Sequence, residues 1–192
     1  MSLRLSASTV QEALDRADSR HWTRHPPRSS RARLTYLLKQ SRRDVSTLAH
    51  RLQTATCDLE ALLTAVPLAE DHPLHHKLER EVVRLWQPRV RRRAHEVILA
   101  RNGQMMLSFR AWLGFTAGAG SSDDPRLRFL TLNLTAPYPQ RLFTARHNDA
   151  PEAELRALLS DALGTCYFHR DRPAHSGESV RLERIDFLEF YY

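Results

Sequence analysis

Residues 74–101, LHHKLEREVVRLWQPRVRRRAHEVILAR, constrain the fold most strongly because they predict two amphipathic helices in direct succession. Pro88 lacks an N–H and disfavours the α conformation at Gln87, so we expect the first helix to end near Trp86 and the second to begin at the proline. Each half has one apolar stripe at helical spacing, which predicts a buried face. The stripes consist of Leu74, Leu78, Val82 and Leu85 in the first half and Val90, Ala94, Val97 and Ile98 in the second.

The opposite faces of these two helices are rich in arginine. Segment 74–101 carries eight Lys or Arg residues against three Asp or Glu. Because a guanidinium group can bind a phosphate through two parallel hydrogen bonds, this surface is predicted to contact a DNA backbone. A helix face that is only solvated is the simpler alternative. The candidate DNA-binding residues of the segment are Arg80, Arg84, Arg89, Arg91, Arg92 and Arg93.

Positive charge is concentrated in the N-terminal half of the chain. The formal net charge is +7, and 27 of the 29 basic residues are arginine. Residues 1–101 contain 19 basic and 11 acidic side chains, whereas residues 102–192 contain 10 and 11. Such an excess favours an anionic partner, and nucleic acid is the first candidate.

The N-terminal half is predicted to be helical. Residues 8–20 indicate a short peripheral helix, and residues 21–33, HWTRHPPRSSRAR, have the composition of an exposed basic arm. Residues 31–66 indicate three short helices with the spacing of a helix-turn-helix, with the turn near Gln53. The third of these helices is poorly suited to DNA because it presents acidic side chains and no Lys or Arg.

The C-terminal half switches to the period-two pattern of β-strands. In residues 105–117 an apolar side chain occurs at every second position, and Ser108, Arg110 and Thr116 share the opposite face. A second alternating strand is predicted at 129–136, followed by two helices and a last strand with a bulge. Arg110 is the seventh candidate DNA-binding residue, because it lies on the more polar strand face.

These patterns predict an α+β protein in three segments. Residues 1–33 form an N-terminal helix and basic arm, and residues 34–101 an all-helical, helix-turn-helix-like region that includes the arginine-rich helix pair. Residues 102–192 form a small mixed α/β domain. The strand-helix-helix order of this domain also resembles a ribbon-helix-helix, in which Thr131 and Asn133 of a dimeric ribbon would enter a DNA groove.

Several classes of function are disfavoured. Cys57 and Cys166 are the two cysteines, and they lack zinc-site spacing, so we expect free thiols in a reducing cytoplasm. The chain has no apolar stretch long enough for a membrane span and no secretory signal pattern. His72, His75 and His76 lack a fourth ligand at metal-binding spacing. Since catalytic motifs are also missing, neither a metal site nor an independent enzyme is expected.

Four segments of the chain are distinctive as a set: LEREVVRLWQPRVRRRA, LGFTAGAGSSDDPRLRFLTLNL, PQRLFTARHNDAPEAELRALLSDALGTCYF and RIDFLEF. From about Leu78 onwards they resemble the Tpg-type telomere terminal proteins of linear actinomycete chromosomes and plasmids. The resemblance implies a protein that primes DNA end replication. In that reaction a DNA polymerase joins the first deoxynucleotide to a side-chain hydroxyl, and the protein stays attached to the 5′ end.

The same resemblance implies the partners of the chain. They are telomeric single-stranded DNA and the duplex end, a DNA polymerase, and a telomere-binding helper protein. The chain would need no cofactor of its own, since Mg²⁺ and the deoxynucleotide are supplied through the polymerase. A protein of this kind is expected in the cytoplasm, associated with the nucleoid and not with a membrane.

The acceptor hydroxyl has three candidates. A protein primer must offer an exposed hydroxyl to the α-phosphate of a nucleotide that the polymerase holds. Thr116, in the GFTA segment at a strand end, matches a threonine that the family carries there. Ser121 and Ser122 are the alternatives, although the neighbouring Asp123 and Asp124 would repel an incoming triphosphate. We expect Thr116 to be the acceptor.

Two other functions stay open. One is a small transcriptional regulator that reads DNA through the helix-turn-helix or a dimeric ribbon. The other is a basic scaffold that docks a polymerase or helper protein without covalent chemistry. Both would bind DNA, so covalent attachment of a nucleotide separates them from the protein primer.

Overall fold

The structure, a computed structural model, describes residues 7–64, 69, 71–116, 125–168 and 179–192. These residues form eight α-helices and one three-stranded antiparallel sheet, which confirms the α+β class. The helices are α1 (Val10–Ser19), α2 (Ser30–Gln40), α3 (Val45–Leu52), α4 (Thr56–Leu63), α5 (Pro73–Leu85), α6 (Pro88–Ala100), α7 (Tyr138–His147) and α8 (Glu152–Leu163). The strands are β1 (Met105–Thr116), β2 (Arg126–Leu134) and β3 (Ser179–Tyr191), and a π-helical turn, Gly164–Phe168, extends α8. None of the helices in this part of the chain is long and apolar enough to cross a membrane.

The chain divides into two compact units. The helical unit is Trp22–Arg89, and the sheet unit combines Met1–His21 with Val90–Tyr192. This division differs from the three expected segments, because α1 belongs to the same unit as the C-terminal sheet. The whole helical unit separates the two in sequence, and local sequence patterns carry no information about such a distant contact.

Helices α2 to α5 enclose the core of the helical unit. Three of the four predicted stripe residues of α5 are buried, namely Leu74, Leu78 and Val82, whereas Leu85 is partly buried. They share one apolar cluster with residues of α2, α3 and α4, chiefly Leu34, Leu37, Leu48, Leu52, Leu59 and Leu62. Burial of this cluster supplies the main stabilisation of the unit, because each fully buried leucine contributes about 1.5–3 kcal/mol.

The predicted break between α5 and α6 is confirmed. Gln87 has a φ of +45°, and α6 begins at Pro88. The indole N–H of Trp86 donates a hydrogen bond to the Arg24 carbonyl at 2.9 Å, and the Gln87 side chain accepts one from the Thr23 amide at 3.0 Å. Residues 21–29 of the predicted basic arm are irregular, as expected, but the arm is hydrogen-bonded to this junction through Thr23 and Arg24. Residues 30–33 of the predicted arm belong to α2.

The sheet has the strand order β2-β1-β3, so β1 is its central strand. The predicted alternation of β1 is confirmed, with Met105, Leu107, Phe109, Ala111 and Leu113 all buried. The expected irregularity of β3 is also found: its pairing with β1 shifts register twice, leaving Asp186 and Glu183 without an opposite residue. All other strand pairs keep a regular antiparallel register.

The sequence had suggested that helix α1 is peripheral, but in the structure it belongs to the core. Its residues Val10, Ala13, Leu14 and Ala17 are no more than 1% exposed and belong to the core beneath the sheet. Its first turn is held by Glu152 of α8, whose carboxylate accepts hydrogen bonds from the amides of Val10 and Gln11 at 2.8 and 3.0 Å. The negative charge also suits the positive end of the α1 dipole.

Candidate functional site

Thr116, the predicted acceptor, is the last residue of β1 and is exposed. It pairs with Ser179, the first residue of β3, whose Oγ donates a hydrogen bond to Thr116 Oγ1 at 3.0 Å. The preceding Phe115 packs against the apolar core and anchors the strand end. Ser121 and Ser122, the alternative acceptors, lie outside the described residues.

The position of Thr116 suits a hydroxyl that reacts in the active site of another protein. The backbone is fixed by pairing with β3, while the side chain faces solvent. A threonine hydroxyl is a weak nucleophile, and a polymerase that holds the nucleotide would supply the metal ions and the base. Exposure and orientation are therefore the properties that the chain itself must provide.

Five of the seven candidate arginines are exposed: Arg80, Arg89, Arg92, Arg93 and Arg110. Arg92 Nη2 lies 3.4 Å from His147 Nε2, and Arg110 Nε lies 3.6 Å from an oxygen of Asp186. Contacts of this length at the surface hold a guanidinium weakly. These arginines therefore stay candidates for phosphate contacts.

The guanidinium group of Arg84 is paired with a carboxylate of the same chain. Its Nε and Nη2 donate to the two carboxylate oxygens of Glu81 at 2.9 and 2.8 Å. Arg51 joins the same carboxylate at 2.7 Å. Glu81 stands one helical turn before Arg84 and satisfies the bidentate geometry that a phosphate contact by Arg84 would need.

Arg91 also differs from the exposed arginines, because its side chain points into the sheet unit and is only 12% exposed. Its Nε lies 3.8 Å from Oδ2 of Asp18, on α1. Burial and the nearby Arg146 lower the pKa of the Arg91 guanidinium, and Asp18 acts in the opposite direction. Arg91 is therefore a structural partner of α1, and its predicted contact with DNA stays a prediction.

The apolar stripe predicted for α6 is wrong in part, because this helix also has to supply a polar contact to Asp18 of α1. Val97 is 44% exposed, whereas His95 points inward and places Nε2 at 2.6 Å from Asp18 Oδ1. The His95 ring stacks on Phe143 with a centroid distance of 3.7 Å. Tyr192 completes the group by donating its hydroxyl to the same Asp18 oxygen at 2.7 Å. A buried carboxylate requires such donors, so polar residues replace apolar ones on this face of α6.

The Tyr192 hydroxyl gives this group a measurable pH dependence. Burial and the Asp18 charge raise the pKa of Tyr192 well above its ordinary value. Its contribution to stability is therefore complete below about pH 10 and is lost as the pH rises further, because the unfolded tyrosine ionises first.

We expect Tyr192→Phe to lower the free energy of unfolding by about 1.5–3 kcal/mol at neutral pH, since it removes a hydrogen bond to a charged group. The difference from wild type should shrink above about pH 10. Urea unfolding of both proteins at about pH 8 and about pH 11 measures this. A difference that stays constant over this range would contradict the assignment.

The sheet has a second face, which points away from the buried core and which we call the open sheet face. Its outward side chains include Met106, Phe129 and Tyr191, all among the most exposed large apolar residues described. The sequence pattern of β1 placed Ser108, Arg110 and Thr116 on this face, but the contribution of the two neighbouring strands was not predicted. The signal was present in β2, because the inward positions of Leu130, Leu132 and Leu134 place Phe129 outward.

The helical unit offers a different surface. The turn between α3 and α4 has the left-handed residue Gln53 that a tight helix connection needs. The exposed residues of α4 include Glu60 and no Lys or Arg. Exposed basic side chains instead lie on α2 and in the turn after it: Arg31, Lys39, Arg42 and Arg43.

Two of the three histidines near α5, His72 and His75, have structural partners. His72 Nδ1 accepts a hydrogen bond from the Leu74 amide at 3.2 Å and caps α5. His75 Nδ1 lies 2.5 Å from Ser30 Oγ. Among the residues that the structure describes, no group of three His, Cys, Asp or Glu side chains is arranged to hold a metal ion.

Comparisons with known proteins add no further assignment. The chain matches no protein-family model, no curated protein and no solved structure.

Proposed function

We propose that this protein primes DNA synthesis at the ends of linear DNA and that Thr116 is the residue to which the first deoxynucleotide is joined. The observation that carries the proposal is the exposed Thr116 hydroxyl at the end of the central strand, oriented by Ser179 at 3.0 Å. The resemblance of the surrounding GFTA segment to telomere terminal proteins supports it.

The proposed reaction is a nucleotidyl transfer performed by a partner polymerase. Thr116 Oγ1 attacks the α-phosphorus of a deoxynucleoside triphosphate. A new O–P bond forms, the bond from that phosphorus to the bridging oxygen breaks, and pyrophosphate leaves. The threonine proton passes to a base of the polymerase, whose Mg²⁺ ions stabilise the developing charge. The protein is the substrate in this reaction, and the polymerase is the enzyme.

Exposed arginines on α6 would hold the DNA end by its phosphates. We expect Arg92→Gln/Arg93→Gln to weaken binding to a short duplex and to reduce the slope of log K against log salt by about 0.9 for each phosphate that the variant no longer neutralises. Fluorescence anisotropy at several salt concentrations measures this. Arg91→Gln serves as the comparison, because its contact with Asp18 predicts lower thermal stability and an unchanged slope. A slope that changes only in Arg91→Gln would refute the assignment of these residues.

Native protein provides the direct test of the function. The protein is purified from its host, digested with nuclease and protease, and its peptides are analysed by mass spectrometry. We expect a nucleotide adduct on the peptide that contains Thr116. Unmodified peptides throughout, from cells that are replicating linear DNA, would refute the proposal.

A transcriptional regulator is the second candidate, and the left-handed turn between α3 and α4 favours it. The acidic surface of α4 argues against its use as a recognition helix. The pairing of β2 with β1 of the same chain argues against a ribbon formed by two chains. The regulator predicts a dimer with a sequence preference that competitor DNA does not remove.

A further inference from the structure

The open sheet face carries a row of aromatic and arginine side chains that has no part in the roles proposed for Thr116 and for the arginines of α6. Phe129, Arg110 and Phe187 are neighbours in one row across β2, β1 and β3. In the next row Trp112 is opposite Arg184, whose guanidinium carbon lies 5.1 Å from the centre of its ring. Phe129 is 71% exposed, so its ring contributes little to the core.

We propose that the open sheet face binds single-stranded DNA, with bases stacked on Phe129 and Phe187 and phosphates bound by the neighbouring arginines. Every base has a flat face that can stack on an aromatic ring when the strand is single, whereas a duplex hides these faces. The additional claim that this strand is the template copied from Thr116 rests on the proposed function.

The charges of the face suit a polyanion. The Arg110, Arg181 and Arg184 side chains are 57%, 75% and 67% exposed. Their carboxylate partners are 3.2–3.7 Å away, and exposed ion pairs of this kind are weak enough for a phosphate to replace the carboxylate. Arginines of this face, including Arg20 at its edge, outnumber the carboxylates: Arg20, Arg110, Arg181 and Arg184 against Glu183, Asp186 and Glu189.

The centre of the face has the arrangement that a single strand needs. Arg110 occupies the middle of the row between two phenylalanines, where its guanidinium can bind a phosphate between two stacked bases. Protein interfaces also use aromatic residues and arginine, so the excess of arginine over carboxylate is what favours a polyanion here.

Polar side chains continue the face towards the other end of β1. Thr131 Oγ1 donates a hydrogen bond to Ser108 Oγ at 3.1 Å, and Asn133 is the next outward residue of β2. Such groups can bond to base edges. In the opposite direction, Thr116 lies six residues beyond Arg110 on the same side of β1, a distance of about 20 Å at the usual strand rise. A strand bound along β1 therefore leads to the acceptor.

The test measures binding of the full-length protein to a fluorescent oligothymidine of about 20 nucleotides by anisotropy. We expect Phe129→Ala to weaken binding about tenfold and Phe129→Leu to weaken it similarly, because stacking needs a ring. Phe129→Tyr should bind like wild type. Tyr167→Ala is the matched control, since Tyr167 is 42% exposed and lies outside the three strands.

Arginine variants test the charge contribution. Arg181→Gln/Arg184→Gln should weaken oligothymidine binding and lower its salt dependence, whereas Arg141→Gln, an exposed arginine on α7, should do neither. None of the phenylalanine variants should change the affinity for a duplex of the same length. This pattern does not depend on priming, so it can hold even where no nucleotide is joined to Thr116.

Three results would overturn the proposal. One is unchanged oligothymidine binding by Phe129→Ala in a protein that is folded by circular dichroism. Another is tighter binding to oligouridine than to oligothymidine, which would assign the face to RNA. The third is a loss of polymerase binding in Phe129→Ala with intact oligothymidine binding, which would make the face a protein interface.

Discussion

Thr116→Val is expected to abolish attachment of the first deoxynucleotide. Valine keeps the branched shape that suits the end of β1, but it has no hydroxyl to form the bond to phosphorus. The measurement is incorporation of labelled deoxynucleotide into purified variant protein in a host extract with single-stranded telomeric template. Because the chemistry needs that one oxygen, we expect labelling to fall to the background of a reaction without the protein.

Matched variants separate the hydroxyl from the fold. Thr116→Ser should keep most of the labelling, since it retains the oxygen at the same position. Ser179→Ala removes the hydrogen bond that orients Thr116 and should reduce the rate without abolishing it. Ser121→Ala/Ser122→Ala should be labelled like wild type. Labelling that is absent in the serine double variant and kept in Thr116→Val would move the acceptor to Ser121 or Ser122.

Arg146→Met is expected to destabilise the sheet unit by about 3–5 kcal/mol, the usual cost of removing one partner of a buried ion pair. The Arg146 side chain is 3% exposed, and it binds Asp15 of α1 through both Nε, at 3.0 Å, and Nη2. Without Arg146, the buried Asp15 carboxylate would lose the arginine to which it is hydrogen-bonded and would keep only the weaker attraction of Arg91. Urea unfolding measures the free energy, and circular dichroism reports whether the variant still folds.

The pH dependence of Arg146→Met follows from the same pair. Burial raises the pKa of Asp15 and Arg146 lowers it, so removal of the arginine raises it further. A raised carboxyl pKa in the folded state means that stability is lost as the pH rises through it. The defect should therefore be smaller near pH 4 than at neutral pH.

Two further variants make this expectation specific. Asp15→Asn/Arg146→Met should recover part of the stability, because it also removes the stranded charge. Arg141→Met is the matched control on the same helix: its side chain is 45% exposed and its pair with Asp161 is at the surface, so we expect a destabilisation below about 1 kcal/mol. Equal destabilisation in Arg141→Met and Arg146→Met would show that burial of the pair is not the cause.

Local sequence patterns determined much of the architecture. Pro88 placed the start of α6 to the residue and the end of α5 to within one residue, because its ring acts on the backbone of its immediate neighbours. The alternation in β1 identified its buried face, because side chains of a strand point to opposite sides in turn. The position of Thr116 at a strand end was found in the same way.

Only the tertiary structure decided which charged residues face solvent. Arg91 and Arg92 are adjacent in an arginine cluster, yet Arg91 contacts Asp18 and Arg92 is exposed. The pair between Arg146 and Asp15 joins residues 131 positions apart. Periodicity reports that a face is apolar or polar, but not which distant group it meets, so no pattern along the chain indicates these contacts.

The open sheet face was decided by tertiary structure for the same reason. Its central row combines Phe129, Arg110 and Phe187 from three strands, and each residue alone is an ordinary outward side chain. The sequence by itself determined the helices, the strands and the exposed hydroxyl, since these depend on backbone geometry within a few residues. The pairing of strands determined which side chains become neighbours, since it joins residues far apart in sequence.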